Sequence, residues 1–565
     1  MRIFSKFFGD VQTKEPDGEL PEFEPRNVEF PMADLIISQE KVLTLLKNLK
    51  VGKSPGPDNF APRLLKELAD VIDRPVTLIY SKSVTAGAPP ESWLNAHISV
   101  IFKKGKKSLA GNYRPISLTP ILCKLLETII RDHIMIHMKQ NKLFSDKQFG
   151  FLPGRSTTLQ LLRAIDDWTS AIENGHYTEC IYTDFRKAFD TVPHRRLMKN
   201  IKAYGIAPNI CQWIENWITG RKQKVIINGV ESEWADVISG VPQGSVLGPL
   251  LFVIFINDLP ELVVAVLLLY ADDSKIYKEI TSRQDLESLQ SDLDSISMWS
   301  DKWLLRFAPD KLKSLTITDR PQQVQAFHVG PYAVGKSVCE KDLGVHVDSG
   351  LTFGEHIVTK VKTANKIVGG IRRSFRYLDH STFSLLFKAL VRCHLETSVA
   401  VWSPASERHI DLMEGVQRRA TKMLPDMSHF DYPERLKKLR LPTLKYRRCR
   451  GNMIETFKII KEKYDKDVSP KLVMRNSINQ RSTTRGHQYT LFQGRSVKEV
   501  RRRSFTQRVI PIWNSLPSKV VEAETTDTFK VRLDKHWKFQ PMLVDPKAIL
   551  TGVRHKGVIV PRTEA

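Results

Sequence analysis

The stretch Leu267-Leu268-Leu269-Tyr270-Ala271-Asp272-Asp273-Ser274-Lys275 decides the fold, because two adjacent carboxylates interrupt an otherwise apolar run. Val263 to Tyr270 is apolar throughout, as a strand covered on both faces would be, and Ile276-Tyr277 resumes the apolar pattern at once. The spacing predicts a tight β-hairpin with Asp272 and Asp273 at its tip. Two carboxylates on one rigid turn repel each other, and a divalent cation is the usual compensation; Mg²⁺ takes oxygen ligands from one or two carboxylates plus substrate phosphates. A solvated acidic turn is the plain alternative, and the rest of the chain has to decide between them.

Working outward, Cys180-Ile181-Tyr182-Thr183 is a β-prone lead that sets Asp184 at a strand end. Ser239 to Pro249 is glycine-rich and opens an apolar helix, so bare backbone can lie close to a ligand there, although the Gly-Lys-Ser/Thr of a Walker loop is missing. His97 to Phe102 reads as a strand and runs into Lys103-Lys104-Gly105-Lys106-Lys107, followed by Asn112-Tyr113-Arg114-Pro115-Ile116-Ser117-Leu118. Such a basic turn suits a triphosphate or a phosphodiester backbone, Arg offering a planar fork and Lys a point charge; a solvated charge run fits the same residues. Val225-Ile226-Ile227 followed by Asn228-Gly229 is a hairpin signal. Leu159, Leu162, Ile165 and Trp168 mark one helix face, and Leu286, Leu289, Leu293, Ile296, Trp299 and Trp303 another. Three carboxylates beside a glycine-rich turn and a basic turn are what phosphoryl transfer by two Mg²⁺ ions about 4 Å apart requires.

Length and charge narrow the class. A chain of 565 residues is too long for one core and should hold several packed units. Lys plus Arg number 86 against 62 Asp plus Glu, a surplus of +24 that favours polyanionic partners, nucleic acid or an anionic membrane surface. The six cysteines contain no C-x-x-C pair, which excludes a zinc knuckle or a disulfide framework of ordinary spacing and fits a reducing, intracellular setting, nuclear or cytoplasmic. The apolar stretch in Met1 to Asp10 is too short for a signal peptide, and the greasiest window, Leu250 to Tyr270, is broken by Asn257-Asp258-Leu259-Pro260-Glu261, so no transmembrane span is expected. Gly9 to Pro31 is Pro- and Glu-rich without periodicity, which predicts a poorly packed lead-in over 1–37. Ser38 then caps a helix bearing Val42, Leu45, Leu46 and Leu49, and the following loop at Lys53 to Asn59 is either a plain linker or a nucleic-acid contact. Arg481 to Arg508 carries eight Lys/Arg (481, 485, 495, 498, 501, 502, 503, 508) against Glu499, a groove for a nucleic-acid backbone or a soluble surface.

The words NYRPISL, QFGFLPGRST, TDFRKAFDTVPH, SGVPQGSVLGPLLF, YADDSKIY and EKDLGVHVD, in this order, resemble the reverse transcriptase of LINE-type (non-LTR) retrotransposons, of the jockey-like and chicken-repeat-like group. VWSP, VQRRATKM, LPTLKYRR and IPIWNSLP resemble the C-terminal region of the same group, so the likeness runs from Ser38 to Trp537. It implies an α+β right-hand polymerase: a fingers extension over 38–83, fingers and palm over 84–345, a helical thumb over 346–440 and a mostly helical basic region over 441–565. The implied activity is RNA-directed DNA polymerisation, with two Mg²⁺ ions, an RNA template, a DNA primer or target and deoxynucleoside triphosphates. By the same resemblance Asp184, Asp272 and Asp273 are the catalytic metal ligands. Arg114 would grip the triphosphate, Phe189 would lie beneath its sugar, Gln243 and Gly244 would border the new base pair, and Lys311 would serve near the leaving pyrophosphate. Ala308, Tyr270, Ser274 and Asn59 depart from the residues usual in the group, at supporting positions. The endonuclease of full elements is not expected within this sequence, and a silent or domesticated nucleic-acid-binding protein that keeps the fold is the alternative reading.

Overall fold

The computed structural model of the protein describes residues 1–322, 325–478, 487–555 and 558–559. β1 (Asn95–Phe102) and β2 (Tyr113–Leu118) pair antiparallel on either side of the lysine-rich turn. β3 (Tyr177–Asp184) starts a second sheet. β4 (Lys222–Ile227) lies parallel to β1, and β5 (Val230–Glu231) and β6 (Ala235–Asp236) both pair with β4. The turn joining β4 to β5 is Asn228-Gly229, both at positive φ, which explains the choice of residues there.

The second sheet is completed by β7 (Val266–Tyr270), β8 (Asp273–Ile280) and β9 (Lys313–Ile317) and, beyond the small β10–β11 pair (His328–Val329 and Tyr332–Ala333), by β12 (Gly335–Ser337). Its order is β12-β9-β3-β8-β7, antiparallel except between β12 and β9. Strand pleating sends alternate residues to opposite faces. Ile181, Leu267, Leu269 and Ile276 therefore meet one core, shared with the helices Ile121–Gln140, His194–Ala203, Pro208–Ile218, Gly248–Phe255 and Arg283–Trp303. Cys180, Leu268, Tyr277, Leu315 and Ile317 meet the other, built on the helix Thr157–Glu173. A further hairpin, β13 (Cys339–Asp342) and β14 (Val345–Asp348), leads into the helix Gly354–Ser374. The architecture is α+β.

Several expectations are corrected here. The strand predicted from Val263 begins at Val266, because the amides of Val264 and Ala265 are captured by the Asp292 carboxylate at 3.0 and 2.8 Å. The lead-in, with Phe8 its one buried residue, is anchored at separate points. Arg2–Asp10 is a helix that buries Phe8 against Ile98 and Val225, Glu15 bridges Arg196 at 2.7 Å, and Arg26 bridges Glu261 at 2.7 Å. Beyond that helix the contacts are single side chains on a surface formed by later residues, so they leave no periodic trace. In the loop after the first predicted helix, a Cβ on Gly56 would sit 2.5 Å from the Pro120 nitrogen, so that loop is pressed against the protein.

The basic stretch is also engaged internally. Lys498 bonds Asp319 at 2.7 Å, Arg501 bonds Asp166 of the Thr157–Glu173 helix at 2.5 Å, and Arg503 bonds Glu499 at 2.7 Å. Arg481 and Arg485 lie outside the described residues. Apolar residues of the C-terminal region, among them Phe457, Trp513 and Phe529, share one core with Trp168 beneath the central sheet. Among the described residues no helix is long and apolar enough to cross a membrane.

Candidate active site

The predicted hairpin is present: Tyr270 and Asp273 pair across a two-residue turn of Ala271 and Asp272. Ala271 holds a left-handed φ of 55°, which a residue with a Cβ rarely adopts unless its surroundings hold it. The buried Gln148 does so, its Oε1 accepting from the Ala271 amide at 3.0 Å and the Gly150 amide at 2.7 Å. A Cβ on Gly150 would lie 2.4 Å from the Ala271 nitrogen, so only glycine fits. The Phe149 amide donates to the Leu269 carbonyl at 2.8 Å, laying this segment along the edge of β7. Gln148-Phe149-Gly150 is thus the prop of the acidic turn.

β3 lies beside β8 in a register that puts Asp184 directly opposite Asp273, with Asp272 on the adjoining turn. The three acids therefore converge at one end of the central sheet. Burial and then the Asp184 charge push the Asp272 carboxyl up from its ordinary range. Loss of surrounding water, then Asp272 and Asp184, push Asp273 up to about 6. Because the Asp273 surface is open to the cavity, the repulsion from its two neighbours is the part of that shift that a cation would relieve. Lys311, on the short turn Pro309–Lys311 that precedes β9, makes an ion pair with Asp184. Converging, mutually repelling oxygen donors already drawing an ammonium are a donor set that fits hard divalent cations.

These acids open onto a cavity of about 430 Å³ that is also lined by Lys103, Arg114, Phe189, Gln243 and Lys311. Lys103 and Arg114 come from the two ends of the β1–β2 turn. The Lys103 ammonium is held below its usual range by partial burial and by the nearby Arg114 and Lys311 cations, as expected of a site arranged for an anion. The Phe189 ring stacks on Phe252, centroids 4.6 Å apart and 20° between planes, which fixes its position on the wall.

Gln243 donates from Nε2 to Asp190 Oδ1 at 2.8 Å, and burial pushes the Asp190 carboxyl up to about 6. Of the predicted site residues, Gly244 stands apart from the lining. Its φ of 120° and the 2.6 Å that would separate a Cβ from the Ser117 carbonyl show a backbone pressed on β2, not on the cavity. Gly240 likewise packs on the Phe189 and Asp190 carbonyls, where a Cβ would come within 2.7 Å. The glycine-rich loop therefore lies close to protein at these two positions.

Sequence reasoning missed Gln148 and Asp190 as site residues, both of which stood inside quoted motifs without a role, while Lys103 entered only as one residue of the basic turn.

Residues 101–378 match the family described as Reverse transcriptase (RNA-dependent DNA polymerase). The chain is 28% identical over 428 residues to the probable RNA-directed DNA polymerase from transposon BS of Drosophila melanogaster, covering 72% of this chain and 46% of that protein. It is 29% identical over 408 residues to the RNA-directed DNA polymerase from mobile element jockey of Drosophila funebris, covering 69% of this chain and 44% of that one. Against the probable polymerase from transposon X-element of D. melanogaster the figures are 27% over 432 residues, 74% and 46%. The chain spans about half the length of these relatives.

Proposed function

We propose that this chain, which through residues 101–378 belongs to the reverse transcriptase family and is similar to the polymerases of non-LTR retrotransposons, is an RNA-directed DNA polymerase extending a primer 3′-hydroxyl with deoxynucleoside triphosphates. The observation that carries the reading is that Asp184, Asp272 and Asp273 share one cavity with Arg114, Phe189, Gln243 and Lys311. In this reading 84–345 supplies fingers and palm and 346–440 the thumb of a right hand, with 38–83 extending the fingers and the basic surplus facing template and primer.

Asp184, Asp272 and Asp273 would hold two Mg²⁺ ions, which when bound make the primer hydroxyl a better nucleophile and neutralise charge gathering on the phosphates. The chain's own groups do the rest. Arg114 and Lys103 bring two cations into the cavity that holds the acids, where a triphosphate would enter. Lys311, paired with Asp184 beside the acids, is placed to meet the departing pyrophosphate. Phe189, fixed by Phe252, presents a rigid face beneath the incoming sugar, and Gln243, fixed by Asp190, borders the nascent base pair.

Primer extension by the purified chain on matched RNA and DNA templates tests this. RNA-templated, Mg²⁺-dependent incorporation of deoxynucleotides is expected. Binding of primer–template with no extension on either template would leave a silent nucleic-acid-binding protein.

A further inference from the structure

Outside the polymerase cavity, Cys339, His346 and Glu355 bring one sulfur, one imidazole nitrogen and one carboxylate oxygen within 4.8 Å of one another. We propose that these three residues bind a thiophilic divalent cation, zinc(II), that ties the β13–β14 hairpin to the first turn of the helix Gly354–Ser374.

The register of the hairpin explains how the donors meet. Cys339 pairs with Asp348 and Lys341 with His346, so the four side chains share one face, and Cys339 and His346 are diagonal neighbours on it. Glu355 reaches that face from the second residue of the helix, its Oε1 3.9 Å from His346 Nδ1. Two further bonds hold the frame. The Asp348 carboxylate accepts from the Thr352 and Phe353 amides at 2.9 and 2.6 Å, fixing the loop into the helix. The buried His356 accepts the His346 amide on its Nδ1 at 3.1 Å, fixing β14 against the helix.

Tetrahedral zinc with bonds of about 2.0–2.3 Å sets its ligand atoms about 3.3–3.8 Å apart, so the donors need to close by about 1 Å. Glu355 is exposed and free to make that movement, and water can complete the coordination. Lys341, on the same face, is exposed and weakens the affinity without occupying the ligand positions. A thiolate and an imidazole favour zinc over magnesium, which separates this site in metal preference from the three-aspartate cluster. The same hairpin also carries Asp342, ion-paired with Lys275 two residues after Asp273, so the cation would couple the helix Gly354–Ser374 to the strand bearing the acids.

The test uses the full chain as Asp272→Asn, so that zinc uptake at the polymerase acids is weakened. Cobalt(II) should give a thiolate-to-cobalt charge-transfer band, zinc(II) should be retained at one equivalent after dialysis, and zinc should raise the melting temperature. Adding Cys339→Ser or His346→Gln should abolish the band and the melting shift, and Glu355→Gln should weaken binding at least tenfold. If a core variant fails to fold by circular dichroism, the exposed Glu355→Gln carries the test alone. Absence of the cobalt band, or binding unchanged by these substitutions, overturns the site.

Discussion

Two lysine–aspartate pairs lie against the same face of the central sheet, the one that carries Asp184 and Asp273, and they differ in access to water. Lys311 pairs with Asp184 at the cavity wall, with side chains 38% and 19% exposed. Lys275, two residues along β8 from Asp273, pairs with Asp342 at 2% and 5%, packed near Trp168, whose ring centre is 5.9 Å from the ammonium. A charge pair open to water is exchangeable, since substrate or a cation can replace either partner at small cost. A sealed pair is fixed, because losing one partner strands the other charge in an apolar core. The chemistry is the same, and burial leaves one pair exchangeable and locks the other into the fold.

The largest effect should come from the open side. Asp184→Asn or Asp272→Asn should lower primer extension at least a thousandfold while primer–template binding persists, because an amide is a poor Mg²⁺ ligand and the basic surface is unchanged. Full extension by both variants would remove the metal assignment. Lys311→Met should slow extension yet shift unfolding by less than about 1 kcal/mol, as for an exposed pair.

On the sealed side the expectation reverses. Asp342→Ala should cost about 3–5 kcal/mol in denaturant unfolding by leaving the Lys275 ammonium buried alone. Replacing both partners, Lys275→Met with Asp342→Leu, should recover much of that loss. A shift below about 1 kcal/mol for Asp342→Ala would show that water reaches Lys275 and would end the contrast between the pairs.

The contrast also marks how far the sequence could be read. The hairpin, the strand-end Asp184 and the basic β1–β2 turn were legible, because each breaks an apolar pattern at a fixed spacing. The sealed pair was not: Lys275 and Asp342 are 67 residues apart, and nothing local distinguishes a lysine that finds a buried aspartate from one that faces solvent. The same blindness explains the C-terminal arginines. Composition left Arg501 to a groove or a soluble surface, whereas its partner Asp166 lies 335 residues upstream. Gln148 was hidden for another reason, since a side chain bonding two amides of a turn leaves no mark of charge or periodicity.

A smaller effect should appear at the cavity floor. Phe189→Val removes the ring that stacks on Phe252 and opens space beneath the sugar, where the 2′-hydroxyl distinguishes ribonucleotides. The ratio of ribo- to deoxynucleotide incorporation efficiency should rise roughly 10–100-fold, about 1.4–2.7 kcal/mol, with extension on deoxynucleotides retained. If Phe189 only fills core, the variant loses stability and the ratio stays where it was.

The smallest expected effect concerns an acid that has neither an open cavity nor a sealed hydrogen-bonded ammonium. Glu179, fully buried in the middle of β3, accepts from Thr316 Oγ1 at 2.8 Å through Oε1, while Oε2 has no hydrogen-bond partner among the described residues. Burial pushes its carboxyl up to about 7, and the hydrogen bond and the Lys336 charge only partly offset it. The folded state therefore holds this proton more tightly than the unfolded chain, whose carboxyl titrates near its ordinary 4.5. Between those two values the native state binds more protons, so the contribution of Glu179 to stability falls as pH rises through the window and is lowest above about 7. Glu179→Gln keeps an acceptor for Thr316 and cannot ionise. Relative to wild type, this variant should gain about 1–2 kcal/mol in unfolding free energy between pH 4.5 and pH 8, with the discount from the full shift reflecting the Lys336 charge and relaxation around the carboxylate. Parallel stability curves for the two proteins across that range would mean that Glu179 is ionised at little cost, and that a cation serves it as Lys275 serves Asp342.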